Sequence, residues 1–152
     1  MYTLRLPGIA SDSAPSWQRT LFALTNFERR ARGIKAYLPS PVADRVAQAR
    51  TDDMARRAYW GHKTPEGLTG YVIELGRQGI TSWDWAGENL ARNRGFPKPL
   101  DTAIRGLMDS PTHRSNILEP DIFTHLGTGY TLSPEGYHIF AQIFLSGVHD
   151  HE

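Results

Sequence analysis

The chain has 152 residues, with 39% hydrophobic residues and a formal net charge of +1 from 17 basic and 16 acidic side chains. That is the composition of one globular domain with enough apolar material for a core, and it leaves no electrostatic footprint for nucleic acid. Cysteine is absent, which excludes disulfides, thiolate metal sites and a cysteine nucleophile, and no apolar run reaches the ~20 residues that span a bilayer.

Residues 1–14 read as an N-terminal arm. The stretch Met1–Ala10 is too short and broken for a signal peptide. The chain therefore reads as an exported domain without its signal, with an intracellular protein as the alternative. Ser11-Asp12-Ser13 before Pro15 marks a helix start. Trp17, Leu21, Leu24, Glu28 and Ala31 share a face and Gly33 stops the helix, which spans about 15–32. Ser40-Pro41 opens a second helix that runs to Tyr59, with Gly61 ending it. Its Val42, Val46, Met54 and Ala58 recur at multiples of four beside Ala43, Ala47 and Ala55, so close packing of this helix is expected. Thr64-Pro65-Glu66-Gly67 is a turn into a third helix carrying Leu68, Tyr71, Val72 and Leu75, capped at Gly79.

A tryptophan-rich stretch, 82–86, leads to Gly87-Glu88-Asn89-Leu90, to which the pattern gives no element, and a loop with Gly95, Pro97 and Pro99 follows. A fourth helix has Leu100, Ile104, Leu107 and Met108 on one face, and Ser110-Pro111 predicts a short helical turn through Asn116. Beyond Pro120 the period becomes two. Leu126, Thr128, Tyr130 and Leu132, the turn Ser133-Pro134-Glu135-Gly136, and Tyr137, Ile139, Ala141, Ile143 and Leu145 form a β-hairpin. Its second strand is apolar on both faces, so the sheet is expected to be covered on both sides. The fold class is α+β, an α-β-α sandwich with a small antiparallel sheet between helical layers. The domain spans 15–146, and 147–152 is a polar tail.

Of the six histidines, His149 and His151 fall in that tail, and His125 and His138 lie on strands and read as packed or surface residues. His62 and His113 stand in turns beside proline and glycine, where functional side chains concentrate. His113 follows a helix start, whose partial positive charge favours the neutral, metal-binding imidazole. Glu88 lies between the two, at separations too long for a local metal motif. There is no GxSxG elbow, Walker A loop or GxGxxG, which disfavours the chemistries those motifs serve.

Taken together, Gly61-His62-Lys63-Thr64-Pro65-Glu66-Gly67, Ala86-Gly87-Glu88-Asn89-Leu90-Ala91, the run from Met108 to Leu118, Leu126-Gly127-Thr128-Gly129-Tyr130 and Gln142-Ile143-Phe144, in that order, resemble the CAP superfamily of cysteine-rich secretory, antigen 5 and pathogenesis-related 1 proteins. The match is to its bacterial, cysteine-free branch, which Asn26-Phe27-Glu28-Arg29 also fits, and it covers roughly 17–145. The resemblance implies an α-β-α sandwich with a cleft of two histidines and two acids able to hold a divalent metal such as zinc.

His62, Glu88 and His113 carry over from that set. The fourth position reads Ser110, with Asp109 one residue away. On this reading His62 and His113 hold the metal. Glu88 accepts a hydrogen bond from metal-bound water or from a histidine, and is the catalytic residue if the protein is an enzyme. Asn89 secures backbone, and Gln142 reaches either the cleft or buried backbone. Trp83, Trp85, Tyr71, Phe96 and Phe123 are candidates for an apolar groove. The expected function is a secreted or cell-envelope binding module for a lipid, peptide or envelope ligand. The alternatives are a metal-dependent peptidase or esterase and a purely structural cleft.

Overall fold

A computed structural model describes residues 14–148. The expected helix start at Ser11-Asp12-Ser13, most of the arm, and the histidines of the tail lie outside them. The elements in order are α1 (Ala14–Arg30), β1 (Leu38–Pro39), α2 (Pro41–Arg57), α3 (Gly70–Arg77), β2 (Trp85–Asn93), α4 (Pro99–Asp109), α5 (Pro111–Leu118), β3 (His125–Leu132) and β4 (His138–Ser146).

The strands form one sheet in the order β1-β3-β4-β2. The expected hairpin β3-β4 sits at its centre with Gly129 opposite Ala141, and β2 runs antiparallel to β4 along its length. The two-residue β1 adds a parallel edge beside β3. β4 is buried from Ile139 to Ser146, as its two apolar faces require. One face carries Ile139, Ala141, Ile143 and Leu145 against the alanine-rich side of α2 and Leu75 of α3. The other carries Phe140 and Phe144, with Leu126 and Tyr130, against α1, α4 and α5. The sandwich expected from the period change is therefore present, with a sheet that is antiparallel except at β1.

Several boundaries differ from expectation, and Leu68, expected on the third helix, lies before α3 begins. α2 ends before Tyr59, because Ala58 takes the left-handed conformation (φ 54°) and stops the helix three residues ahead of the expected Gly61. A side chain there costs about 1–2 kcal/mol, set against the two hydrogen bonds that the neighbouring Tyr59 hydroxyl makes. The Gly87-Glu88-Asn89-Leu90 segment, given no element from sequence, is part of the nine-residue strand β2. It lacks the β-branched residues that mark a strand, and it pairs because β4 supplies a complete partner edge.

The alanines of α2 meet glycines of β3. A Cβ at Gly127 would overlap the backbone at Ala43, and one at Gly129 would lie 2.5 Å from the Ala47 carbonyl carbon. Helix and sheet thus approach as closely as backbones allow, and this seats α2 and its Arg50 against the sheet. Gly129→Ala is expected to cost about 1–3 kcal/mol or more through overpacking, read as a lower urea midpoint at unchanged slope.

Candidate functional site

The site is built on two successive residues of β2, Glu88 and Asn89. Neighbouring side chains on a strand point to opposite faces, so Glu88 enters the α2 layer and Asn89 the α1/α5 layer. Each secures one of the two histidines.

On the α2 side, Arg50 lies on the buried stripe of the helix, four residues from Val46 and from Met54. Its side chain is 1% exposed and that of Glu88 is 0% exposed. Arg50 Nε donates to Glu88 Oε2 at 2.8 Å and Nη2 to Oε1 at 3.3 Å. Its remaining bonds go from Nη1 to the Tyr59 hydroxyl and from Nη2 to the Gly61 carbonyl, both at 2.7 Å. Tyr59 in turn donates to Asp53 Oδ2 at 2.7 Å. Burial and that carboxylate push the Tyr59 phenol up to about 12. Desolvation pulls the Arg50 guanidinium down, but its bonds to Glu88 outweigh that and leave it raised, so it stays charged. A Cβ at Gly70 would collide with the guanidinium, which makes glycine a condition of the ion pair.

His62 stands above this pair. Its Nδ1 lies 2.8 Å from Glu88 Oε1. An ionised carboxylate can only accept, so Nδ1–H donates, and in the neutral ring Nε2 then keeps the lone pair. The loop that carries His62 is held at Gly61 by Arg50 and by Gly70 N–H donating to the His62 carbonyl at 2.8 Å. Its tip is the expected turn, with Gly67 N–H donating to the Thr64 carbonyl at 2.8 Å.

On the opposite face Asn89 Nδ2 donates to the His113 carbonyl at 2.9 Å and to Gln142 Oε1 at 3.0 Å, while Asn116 Nδ2 donates to Asn89 Oδ1 at 2.9 Å. Gln142 Nε2 donates to Thr25 Oγ1 at 2.8 Å. Asn89 therefore secures backbone, as expected. Gln142 does neither of the things foreseen for it: fully buried, it links Asn89 to α1. Ser110 occupies the N-cap position of α5, but its hydroxyl bonds the ring of His113 at Nδ1, 2.8 Å away, rather than capping the backbone. Burial, and then the proximity of His62, hold the His113 imidazole below its ordinary value and so in the neutral form.

Both histidines line one open cleft of about 720 Å³, with Ser110 between α4 and α5. Asp109 does not line it. Nor does Glu88, which reaches the cleft through His62. Of the expected groove aromatics only Phe96 is there, joined by Trp60. Trp83 and Tyr71 pack on the α2 core and Phe123 on the opposite one, and Trp85 is exposed at the start of β2. His138 stacks on Trp17 and Tyr130, and His125 bonds Thr124. Among the described residues no three His, Asp or Glu side chains converge as a metal site. The donor chemistry fits a metal with two imidazole ligands, each ring oriented through its other nitrogen. It does not fit a closed structural site, nor the three firm ligands of hydrolytic zinc sites.

Sequence reasoning passed over Arg50. The signal was the gap in the four-residue series Val42, Val46, Met54, where a charged residue occupies a core position. Buried arginine is rare unless paired, so its partner had to be a carboxylate from elsewhere in the chain.

Residues 22–144 match the cysteine-rich secretory protein family, CAP. The uncharacterized protein YkwD of Bacillus subtilis is 32% identical over 124 residues, covering 82% of this chain and 46% of that protein. The chain thus spans about half the length of the curated relative it matches. Among solved structures, an extracellular SCP-domain protein from Bacillus anthracis superposes with a TM-score of 0.74 at 24% identity, over 95% of this chain and 45% of that one. An outer surface protein from Borrelia burgdorferi also gives 0.74, at 15% identity, over 91% of this chain and 96% of that one.

Removing one member of a buried ion pair strands the other, at about 3–5 kcal/mol. Arg50→Met is expected to cost that much. Adding Glu88→Gln to it should cost little more or restore stability, giving a coupling above about 1 kcal/mol in a double-mutant cycle by chemical denaturation.

Proposed function

The chain belongs to the cysteine-rich secretory protein (CAP) family, and from that membership and the geometry of its cleft we propose that it is an extracellular binding module whose ligand site is the cleft between His62 and His113. Extracellular placement draws support from the Bacillus anthracis and Borrelia burgdorferi proteins that share the fold. Among the described residues no helix is long and apolar enough to cross a membrane.

The observation that carries the proposal is the anchoring of both rings at Nδ1, by Glu88 and by Ser110, at the wall of one open cleft. This fixes the aim of Nε2 on each ring, which a purely structural pair would not need. A divalent ion, zinc by its preference for imidazole, would be held by His62 and His113 through Nε2. When bound it would supply a Lewis-acidic point for a donor atom of the ligand. Glu88 holds the His62 tautomer and Ser110 accepts from His113 Nδ1–H in that state. The walls at Leu90, Ala91, Phe96 and Leu107 suit the apolar part of a lipid, peptide or envelope ligand.

Binding is favoured over hydrolysis by one feature. Both Glu88 oxygens are engaged by Arg50 and His62, so among the described residues no free carboxylate faces the cleft to act as a base. Zinc titration calorimetry on the chain lacking 149–152 tests the reading, the deletion removing His149 and His151. One weak site is expected, lost in both His62→Ala and His113→Ala. No heat, or an isotherm unchanged in either variant, would overturn the metal assignment.

A further inference from the structure

Among the described residues that line the cleft, one side chain other than the histidines is ionisable. Arg92, near the end of β2, lines it together with Trp60 and Phe96, and among the described residues no aspartate or glutamate does. β2 is an edge strand, and its last residues, 90–93, form one wall. The Arg92 guanidinium carbon lies 4.8 Å from the Trp60 ring centroid and 4.5 Å from that of Tyr137. Arg94 lies over the same tyrosine at 4.4 Å and donates to the Glu135 carbonyl at 3.1 Å. Glu135 shares a neighbouring pocket with Arg92, yet no ion pair or hydrogen bond joins these two described residues.

We propose that Arg92 is the anion-recognition residue of the cleft and that the ligand presents a carboxylate to it. Aromatic rings beside a guanidinium hold it by cation–π attraction and leave its N–H edge, a planar fork that matches a carboxylate, for another partner. Such a charge-assisted pair is about twice as strong as a neutral hydrogen bond. A monoanion fits better than phosphate for two reasons. Among the described residues the wall offers one guanidinium with no lysine beside it, and the rest of the lining is mostly apolar. Trp60, 38% exposed, and Phe96, 54% exposed, flank the apolar body of such a ligand. This inference rests on the reading of the cleft as the ligand site, but not on a metal being there.

The test uses the full chain without metal and three probes: N-acetyl-dileucine with its free C-terminal carboxylate, the same peptide as its C-terminal amide, and inorganic phosphate. Saturable NMR shifts of the Arg92 Nε–H and Trp60 Nε1–H are expected with the acid alone. Arg92→Gln should weaken acid binding at least about tenfold, and Arg92→Lys, which keeps the charge but loses the fork, should weaken it nearly as much. Arg92 is exposed, so both variants should fold as the parent does, and Arg92→Gln should keep the parent zinc isotherm. Four results would each overturn the proposal: no binding of the acid at millimolar concentration, equal binding of the amide, undiminished binding by Arg92→Gln, or phosphate binding at Arg92 in preference to the acid. Loss of zinc binding in the histidine variants bears on the metal alone, so the two readings fail separately.

Discussion

The cleft depends on one buried ion pair, Arg50 with Glu88. Two charges so fully removed from water carry a desolvation cost that attraction alone offsets only with good geometry. Here four hydrogen bonds from the guanidinium add to that attraction: two to Glu88, one to Tyr59 and one to the Gly61 carbonyl. The pair therefore does more than stabilise. It ties α2 to the edge strand β2, fixes the loop that carries His62, and leaves Glu88 Oε1 positioned to accept from the His62 ring. Gly70 and the glycines of β3 are the steric conditions for it, since α2 has to lie against the sheet for Arg50 to reach that strand.

The two histidines come from opposite layers of the sandwich and are brought together by adjacent residues of one strand. Glu88 secures the ring of His62 from the α2 side, and Asn89 secures the backbone of His113 from the α1/α5 side. The polar chain from Thr25 through Gln142 and Asn89 to Asn116 crosses that second core, with Tyr37 donating to the Asn116 carbonyl at 2.6 Å. Buried polar groups are costly unless satisfied. A connected run of this kind selects one packing of α1 and α5 on the sheet and so fixes where the His113 ring stands. The site is rigid at its base and open at its mouth, where Trp60, Arg92 and Phe96 meet solvent.

Much of this was legible in the sequence, and what escaped it has a common cause. The hairpin, the alanine face of α2, the proline-started helices and the turn before α3 follow from local period and local turn chemistry. His62, Glu88 and His113 stood out through motifs in order. The strand β2 did not, because Glu88 and Asn89 are polar residues whose burial is licensed by partners remote in the chain: Arg50 for Glu88, Gln142 for Asn89. Arg50 itself was hidden in the same way, as a charge within an apolar stripe. Trp60 was passed over because its role is set by where the loop folds back, not by its neighbours. Long-range satisfaction of polar groups leaves only a negative local signal, a residue that does not fit its pattern.

The Arg50–Glu88 pair positions the carboxylate that accepts from the His62 Nδ1–H, and on this the rest of the site turns. Long-range 1H–15N correlation of the histidine side chains, above neutral pH, measures it directly. A protonated Nδ1 and an unprotonated Nε2 are expected for His62 in the parent, with loss of that preference in Glu88→Gln combined with Arg50→Met. A His62 ring carrying its proton on Nε2, or one exchanging freely between tautomers in the parent, would contradict it.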